Sequence, residues 1–475
     1  MARKGTGKRS IDSHDKRGLK ETLVYWCFNV IGILIPNAIK AIIKAVIMLG
    51  RWVKPDFLKR QKKYDTIKEV EGYFTNLLNL TNLLNRFFVF VFRFGLIDKL
   101  LDLDHKISRE DSRYMAALAM TAANTAYEDR QRVEMIVKRH WKMEFIDFFD
   151  SANEYMSEEE SFEMGHPTQA FIFSDHTGDH ELICVSFRGT SSVDDLRTDL
   201  DLPLYPLERI GRVHLGFLKA LGAQKDKKGN PSWPKEIDFD KTPNQKFAYY
   251  EIRKVLKKRL SDNEDARFIV TGHSLGGALA VLFTTILGFH EEEKLLDKLK
   301  LLDKLEGVYT FAQPKVGDSK FCEFMERLLG ERYFRYVYAY DIIPRLPPSS
   351  FGYQHFGKCY YFNVFYWGKV IKGTPDMPGI FWQLLYAYYE IIVRDKIVTP
   401  IFYGKDYKEE KSHLQIRLLA LATIPAISAH LVQDYINLTR VGSFDLRNFF
   451  WQRLAAYYEF CFAVKYKGEI AKAIE

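Results

Sequence analysis

The stretch RFIVTGHSLGGALAVLF, residues 267–283, decides the fold of this chain. It begins with β-branched and apolar residues, which predict a buried strand, and it ends in a run rich in alanine and leucine, which predicts a helix. Between the two stands GHSLG, residues 272–276, a G-x-S-x-G sequence. In such a strand–turn–helix the serine sits at the tip of a sharp turn, and Gly272 and Gly276 let neighbouring backbone approach without a Cβ clash. The stretch therefore predicts that Ser274 is a nucleophile.

The sequence on both sides of this stretch alternates between short β-rich runs and helical runs. This alternation predicts a mostly parallel sheet covered by helices on both faces, an α/β fold of the hydrolase type. The predicted strands are residues 169–174, 182–187, 268–271, 308–311, 333–340 and 359–365, and the predicted helices are residues 113–129, 277–289 and 319–329. Two inserts interrupt the pattern, a polar surface loop at 224–245 and an aromatic and charged block at 367–410.

Composition narrows the class of protein. Of the 475 residues 47% are hydrophobic and 15% are aromatic, and the net charge is +8. No dense basic stripe occurs in the part that is expected to fold, so nucleic-acid binding is not predicted. The five cysteines are scattered without a CxxC pair, which argues against a disulfide framework or zinc site and favours a reducing compartment. His176 and His180 have metal-ligand spacing but lie in a predicted hairpin turn, where side chains diverge, so we predict neither a metal nor a cofactor.

The N-terminal region differs in amino-acid composition from the rest of the chain. Residues 1–21 are basic and poor in apolar residues, which predicts a disordered arm. Residues 22–107 form an apolar and aromatic region, and within residues 22–50 Pro36 interrupts the run before Lys40 and Lys44. A spanning helix needs about 20 continuous apolar residues. We therefore predict a membrane-associating hairpin or interfacial helix, with a buried core helix as the alternative, and a hydrolase domain over residues 108–475.

Several motifs around the serine resemble those of the class 3, or fungal-type, lipase family. The resemblance extends over residues 127–442 and rests on SFRGTSS at 186–192, VHLGF at 213–217, TGHSLGGALA at 271–280, TFAQPKVGD at 310–318 and YDIIPRLPP at 340–348. The ending ISAHLVQDYINLTRVG at 427–442, the aromatic insert and the apolar N-terminal part are most similar to the plant oil-body branch of that family. The resemblance implies an α/β-hydrolase that cleaves triacylglycerol-type esters beneath a lid.

The acid that would serve the serine is expected later in the chain, because the order in this fold is serine, acid, histidine. Asp341 directly follows the strand predicted at 333–340 and precedes a rigid, proline-containing turn, so we predict that Asp341 is the acid. Asp318 is the competitor. It opens a predicted helix, however, and the duty of an N-cap explains it.

Three histidines follow Asp341. His355 precedes the last predicted strand, whereas the histidine of this fold lies in a loop after that strand, so a structural hydrogen bond suits His355 better. His413 lies in a charged helical stretch. His430 lies after the final strand, in the segment that resembles the histidine segment of the family. We predict that His430 accepts the proton of Ser274 while the carboxylate fixes its tautomer, with His355 as the next candidate.

The oxyanion hole takes one N–H from the residue after the nucleophile, Leu275, while His273 completes the elbow. The resemblance implies that the backbone N–H of Thr190, in the SFRGTSS turn, is the second donor; capping of the following helix is an alternative that is compatible with this role. The family places its lid at residues 191–207, which share an apolar helical face here, and an ordinary surface helix is the alternative. The apolar positions of that face are Val193, Leu196 and Leu200.

The predicted activity is hydrolysis of acylglycerol esters through an acyl-enzyme, at the surface of a lipid-droplet monolayer or a membrane. The expected location is the lipid droplet or the endoplasmic reticulum membrane, on the side facing the cytosol. A phospholipase or galactolipid acyl hydrolase would use the same residues, and no feature of the sequence indicates which lipid headgroup is recognised. A catalytically silent scaffold is the third alternative, and the complete set of Ser274, Asp341 and His430 argues against it.

Overall fold

The centre of the molecule is a sheet of eight strands. The structure, a computed structural model, describes residues 101–151, 168–189, 204–225, 231–237, 246–292, 300–391 and 425–444. Its strands in chain order are β1 (Glu144–Ser151), β2 (Thr168–Asp175), β3 (Leu182–Phe187), β4 (Leu204–Leu207), β5 (Gly211–His214), β6 (Gln224–Lys225), β7 (Pro231–Ser232), β8 (Arg267–His273), β9 (Leu305–Phe311), β10 (Tyr333–Tyr338), β11 (Lys358–Phe362) and β12 (Gly368–Lys372).

Nine α-helices lie among the described residues. They are α1 (Tyr114–Thr125), α2 (Arg130–Met135), α3 (Leu215–Leu221), α4 (Ala248–Asp262), α5 (Leu275–Glu292), α6 (Ser319–Leu329), α7 (Ile380–Tyr388), α8 (Pro425–Ser428) and α9 (Val432–Val441). A π-helical turn (Ile136–His140) and short 3-10 helices (Leu301–Lys304, Gly330–Arg332, Ile343–Arg345, Ser349–Phe351) complete the elements.

The strand order of the sheet is β1-β2-β3-β8-β9-β10-β11-β12. The five strands from β3 to β11 are parallel. Antiparallel pairs add β2 and β1 at one edge and β12 at the other. The mostly parallel sheet predicted from the sequence is therefore confirmed. Because parallel strands end at the same edge, the loops that follow β8, β9 and β10 meet there, which is where open α/β sheets bind their ligands.

Both faces of the sheet are covered, as the near-continuous apolar character of the strands requires. Along β3, Val185 and Phe187 face a core shared with helices α3 to α6. The alternating residues Leu182 and Cys184 face a second core, shared with α1, α2 and α9. Helix α1 is also tied to the sheet by a buried hydrogen bond from Thr271 Oγ1 to the carbonyl oxygen of Ala119 (3.0 Å). The strand that carries the serine is thus held from both sides.

Several predicted boundaries need correction. The strand predicted at 333–340 ends at Tyr338, because Ala339 has a left-handed φ of 37° and the N–H of Asp341 turns back to the carbonyl of Tyr338 (3.0 Å). The strand predicted at 359–365 ends at Phe362, where Asn363 closes a turn by accepting from the N–H of Trp367 (3.1 Å). The helix predicted at 113–129 spans Tyr114–Thr125. Each shift shortens the predicted element because a turn follows it directly.

The predicted inserts contain more regular structure than expected. In the segment predicted as a surface loop, 224–245, strands β6 and β7 pair, and Trp233 is buried against Tyr249. The insert at 367–410 supplies the edge strand β12 and helix α7. At the end of the predicted lid, residues 204–207 form β4, which pairs with β5 and is not helical.

Other predictions fall on residues outside those described. They concern the arm 1–21, the apolar region 22–107 up to residue 100, Thr190, the lid residues 191–203, the second half of the 367–410 insert, and His413. Within the described ranges, no helix combines the length and the apolar character needed to cross a bilayer.

Candidate active site

Ser274 lies in the tight turn between β8 and α5. Its φ of 57° falls in the left-handed region that few residues with a side chain adopt. The N–H of Ser274 donates to the carbonyl of Phe311 at the end of β9 (2.9 Å), and its own carbonyl accepts from the N–H of Gly277 (3.0 Å). These two bonds hold the strained conformation, which presents the serine hydroxyl at the carboxyl edge of the sheet.

The two glycines of the elbow sit where no Cβ fits. A Cβ on Gly272 would overlap the backbone of Gly276, and a Cβ on Gly276 would overlap the carbonyl oxygen of Phe187 on β3. The start of α5 therefore crosses both its own strand and the neighbouring strand at backbone contact distance. The close approach predicted for these glycines is what the structure shows.

His430 and Asp341 meet at the serine, although both lie far from it in sequence. The Nε2 atom of His430 is 2.9 Å from Ser274 Oγ, and its Nδ1 atom is 2.9 Å from Asp341 Oδ2 and 3.1 Å from Oδ1. Asp341 follows the end of β10, and His430 lies in the turn between α8 and α9. With Nδ1–H donated to the carboxylate, Nε2 is left as an acceptor for the serine proton.

The buried carboxylate of Asp341 accepts further hydrogen bonds. The hydroxyl of Tyr435, on α9, donates to Oδ2 (2.7 Å), and the N–H of Ile343 donates to Oδ1 (2.9 Å). Burial and the adjacent Asp341 charge raise the pKa of Tyr435 well above its ordinary value, so this phenol remains a donor. The guanidinium of Arg345 donates to the backbone carbonyls of Asp341 and Ala339, which fixes the turn that carries the acid.

The histidine of the elbow, His273, is paired with Tyr127. The phenolic oxygen of Tyr127 is 2.9 Å from Nδ1 of His273, and the ring centroids of His273 and His430 are 4.7 Å apart. Burial, with the nearby His430 as the second cause, keeps the pKa of His273 well below its ordinary value. His273 is therefore neutral, and it packs against His430 without adding a charge.

Of the two oxyanion donors predicted from the sequence, Leu275 and Thr190, the structure describes Leu275. Leu275 is the first residue of α5, where the N–H has no acceptor within the helix. Gly189 ends the described stretch at this point, and a Cβ there would overlap the hydroxyl of Tyr127 and the carbonyl of His273. The backbone that leads to Thr190 thus runs directly over the elbow. Thr190 itself lies outside the described residues.

The competing residues lie elsewhere and have other partners. Asp318 caps α6 by accepting from the N–H of Phe321 (3.0 Å) and forms an ion pair with Arg212 (2.9 Å). Nε2 of His355 is 2.6 Å from the carbonyl oxygen of Pro344, and burial lowers its pKa well below the ordinary value. Neither of these two residues contacts Ser274.

Residues Tyr435, Arg345 and Tyr127 were not singled out from the sequence. Tyr435 and Arg345 stand inside motifs quoted above, five residues after His430 and four after Asp341. A tyrosine one helical turn beyond the histidine and an arginine in the turn that follows the acid were the signals available. Tyr127 lies 146 residues before His273, and nothing local in the sequence indicates the pairing.

One cluster of metal-ligating side chains lies away from the serine. Glu144, His176 and Glu181 approach one another closely enough to bind a cation. Arg259 already pairs with Glu144 and lies 3.8 Å from Glu181, and its guanidinium lowers the pKa of Glu144. His180 instead lies 2.7 Å from Glu306, so the two histidines diverge as expected. An arginine supplies the positive charge that the two carboxylates require.

A mostly parallel sheet with a serine on a strained strand-to-helix turn, followed in chain order by an acid and a histidine, is the architecture of an α/β-hydrolase. A family model described as Lipase (class 3) matches residues 184–351. The triacylglycerol lipase OBL1 of Arabidopsis thaliana is 36% identical over 70% of this chain and 65% of its own length. The protein of the same name from Ricinus communis is 34% identical over 70% of this chain and 65% of its own length. Residues 184–351 thus match the class 3 lipase family, and the wider chain is similar to plant proteins named triacylglycerol lipase.

The similarity to fungal proteins is shorter. The lipase of Rhizomucor miehei is 34% identical over 39% of this chain and 43% of its own length. The solved structure of lipase II from Rhizopus niveus has a TM-score of 0.36 at 24% identity, covering 53% of this chain and 78% of that one. The present chain spans 65% of the length of each of these two plant relatives, which is less than two thirds.

Proposed function

We propose that the chain is a serine lipase that hydrolyses the carboxylic ester bonds of acylglycerols. The observation that carries the proposal is the line of contacts from Ser274 Oγ through His430 to Asp341, with 2.9 Å at each step. The plant relatives named triacylglycerol lipase support the substrate class. The chain-order and geometric requirements of acyl transfer support the reaction class.

In the proposed mechanism Ser274 is the nucleophile and His430 is the general base. As Oγ attacks the ester carbonyl, its proton passes to Nε2 of His430, and the carboxylate of Asp341 stabilises the imidazolium that forms. The N–H groups of Leu275 and Thr190 stabilise the negative oxygen of the tetrahedral intermediate. His430 then gives the proton to the departing glycerol oxygen, which leaves an acyl-Ser274 ester. Water, activated by the same histidine, releases the fatty acid.

A substrate panel tests the proposal. Purified full-length chain is given emulsified trioleoylglycerol, dioleoylglycerol, phosphatidylcholine vesicles and a galactolipid, and released fatty acid is measured against the Ser274→Ala variant. The proposal predicts release from the acylglycerols that depends on Ser274. Release only from the phospholipid or the galactolipid would make the protein an acyl hydrolase of polar lipids. No release from any lipid would favour the scaffold alternative.

We also infer that the apolar region predicted at 22–107 attaches the hydrolase domain to a lipid surface through its residues 22–100. Leu101 already lies in the hydrolase core, and its carbonyl accepts from the indole of Trp141 (2.7 Å). The inference rests on the apolar run at 22–50 and its interruption by Pro36. In a straight spanning helix Lys40 and Lys44 would be drawn toward the hydrocarbon centre at about 2.5–3.5 kcal/mol each, whereas a hairpin or interfacial helix leaves both at the headgroups. Such an anchor suits a lipid-droplet monolayer, with the endoplasmic reticulum as the reservoir and the chain on the cytosolic side.

A fusion of residues 1–60 to a fluorescent protein tests this location. We expect the fusion to coat lipid droplets and, in cells without droplets, the endoplasmic reticulum. A diffuse fusion, or glycosylation at a site engineered before residue 20, would exclude the topology.

The segment 191–207 is proposed as the lid, since its apolar residues Val193, Leu196 and Leu200 fit one helical face. Hydrolysis should then rise sharply when a short-chain triacylglycerol exceeds its solubility and forms droplets. A rate of hydrolysis that saturates smoothly through the solubility limit would contradict the proposed lid.

A further inference from the structure

Helix α7, residues Ile380–Tyr388, has its polarity reversed relative to an ordinary surface helix. Its inward positions are Gln383 and Ala387, and the buried carboxylate of Glu390 follows one turn later. The large apolar side chains point outward instead, with relative exposures of 59% for Ile380, 61% for Phe381, 51% for Trp382 and 38% for Leu385. A surface helix normally buries its apolar stripe, so this exposed face calls for an apolar partner.

The inner side of this helix is anchored to both segments that carry the acid and the histidine. The carboxylate of Glu390 accepts from the hydroxyls of Tyr338 (2.5 Å) and Tyr340 (2.7 Å), the second of which directly precedes Asp341. The hydroxyl of Tyr340 is also 3.3 Å from Ser428 Oγ, two residues before His430. The rings of Tyr340 and Tyr386 stack with centroids 6.0 Å apart. Helix α7 is therefore rigidly placed relative to the Ser274 site.

Edge strand β12, which precedes α7 in the insert, presents two lysines. Lys369 and Lys372 are exposed on the edge strand β12, and the ammonium group of Lys369 lies 5.0 Å from the ring centroid of Trp367. Neither β12 nor α7 contains an aspartate or a glutamate, and the linker between them carries one exposed acid, Asp376. Exposed aromatic side chains match the boundary of a phospholipid layer, where rings enter the zone between headgroups and acyl chains, and an exposed lysine such as Lys369 can meet a phosphate.

We propose that the outward face of α7 is a lipid-docking surface that binds the phospholipid layer around the substrate and fixes the orientation of Ser274 against it. The proposal rests on the proposed function, since it supplies a reason for an apolar helix beside the site. A phospholipid surface fits better than a protein partner because the four exposed side chains offer almost no hydrogen-bonding groups, and because α7 is tied to the segments of a site whose proposed substrates are lipids. The face is then a third lipid-binding element of the chain, in addition to the proposed anchor at 22–50 and the proposed lid at 191–207.

The test measures binding without hydrolysis. Full-length chain carrying Ser274→Ala is floated with vesicles of phosphatidylcholine containing about one fifth phosphatidylserine, and the lipid concentration for half-maximal binding is recorded. The double variant Phe381→Ser/Trp382→Ser is expected to need at least about tenfold more lipid, because the loss of two inserted aromatic side chains multiplies the partition constant even when other anchors remain. The matched control is Phe351→Ser, which removes a phenylalanine of 56% exposure outside the insert and should leave the curve unshifted.

Two further measurements keep the interpretation unambiguous. The unfolding midpoint and the elution volume of the double variant should equal those of the parent chain, since the replaced side chains are exposed. An unshifted binding curve, or an equal shift for Phe351→Ser, would overturn the proposal. A changed oligomeric state or a large loss of stability would also overturn it, because the face would then be packing on protein. If the chain cleaves no lipid but the shift is observed, the docking surface stands and the proposed function alone fails.

Discussion

The carboxylate of Asp341 is fully buried beside His430. A buried carboxylate is tolerated only when hydrogen bonds replace the water it has lost. Three donors do so here, the imidazole of His430, the N–H of Ile343 and the hydroxyl of Tyr435. Tyr435 also accepts from the N–H of Tyr338 (3.1 Å), so one phenol ties the acid to the end of β10.

The variant Tyr435→Phe should therefore lower kcat by about tenfold with little change in KM, because the carboxylate is less firmly oriented toward His430. Its free energy of unfolding should fall by about 1–2 kcal/mol, since the N–H of Tyr338 loses its acceptor. Tyr250→Phe is the matched control, because that variant loses a comparable bond to the carbonyl of Pro234 (2.8 Å) away from the site. Equal kcat values for the two variants would contradict a positioning role for Tyr435.

His214 makes a separate prediction about pH and stability. Neither ring nitrogen of His214 has a hydrogen-bond partner, and the ring stacks on that of Phe217 with centroids 4.0 Å apart. Burial lowers the pKa of His214 to about 4. Below pH about 6.5 the unfolded chain takes up a proton that the folded chain refuses, so this residue destabilises the fold progressively as the pH falls toward 4.

Replacing His214 by Phe should remove that penalty and preserve the stacking. Between pH 7 and pH 5 the urea-unfolding free energy of His214→Phe should improve relative to the parent by about 2 kcal/mol. The same replacement at His290 should cost stability already at pH 7, because both nitrogens of that ring are bonded, to Tyr249 (2.6 Å) and to the carbonyl of Trp233 (2.9 Å). A pH dependence identical to that of the parent chain would show that folding does not lower the pKa of His214.

For single residues, the sequence predicts a catalytic role when the constraints lie within one local motif. It does not predict hydrogen-bond partners that are distant in the chain. Ser274 could be identified because its constraints are local, a strand before it and a helix after it. Tyr127 could not be paired with His273, because only the folded sheet brings α1 across the end of β8. Asp341 and His430 were inferred from strand order and from the family resemblance, and the structure places both at Ser274.

At the scale of elements, the elbow depends on the crossing of α5 with β8 and β3. Gly276→Ala places a Cβ against the carbonyl oxygen of Phe187. The start of α5 must then move away from the strand, which displaces the N–H of Leu275 and the hydroxyl of Ser274 together. We expect hydrolysis to fall by about two orders of magnitude or more, as for the loss of an oxyanion donor.

Gly379→Ala is the control for this substitution. Gly379 caps α7, and a Cβ there would meet no atom within 4 Å. Activity of this variant should stay close to that of the parent chain in the same assay of emulsified trioleoylglycerol. Comparable losses in the two glycine variants, or full activity of Gly276→Ala, would contradict the account of the elbow.

The sequence patterns missed the two edge strands, β1 and β12, and they also missed helices α4 and α9, although both helices bury apolar side chains. Strands β3, β8 and β9 are continuous apolar runs in the middle of the sheet, and their predictions are confirmed to within a few residues. Strand β12 has the sequence GKVIK and is largely exposed at the sheet edge, so no apolar period marks it. Helix α7 could be recognised as an aromatic block, but the direction of its apolar face depends on Glu390 and its two tyrosine partners.

At the scale of the whole molecule, the parallel sheet gathers the site from three distant parts of the chain. The ends of β8 and β10 bring Ser274 and the Asp341 turn to one edge, and the turn between α8 and α9 adds His430. The exposed face of α7 is tied to the second and third of these segments. A lipid surface bound there would meet the molecule on an element that is rigidly connected to the acid and the histidine.

The central claim is that Ser274 is a nucleophile activated by His430. Labelling with a fluorophosphonate probe, with the site located by mass spectrometry and the rate compared among variants, tests it most directly. We expect a single label on Ser274, a rate about a thousandfold lower in His430→Ala, and a rate near that of the parent in His355→Gln, whose side chain lies at the carbonyl of Pro344. A label on another serine, or a His430→Ala chain that reacts as fast as the parent, would contradict it.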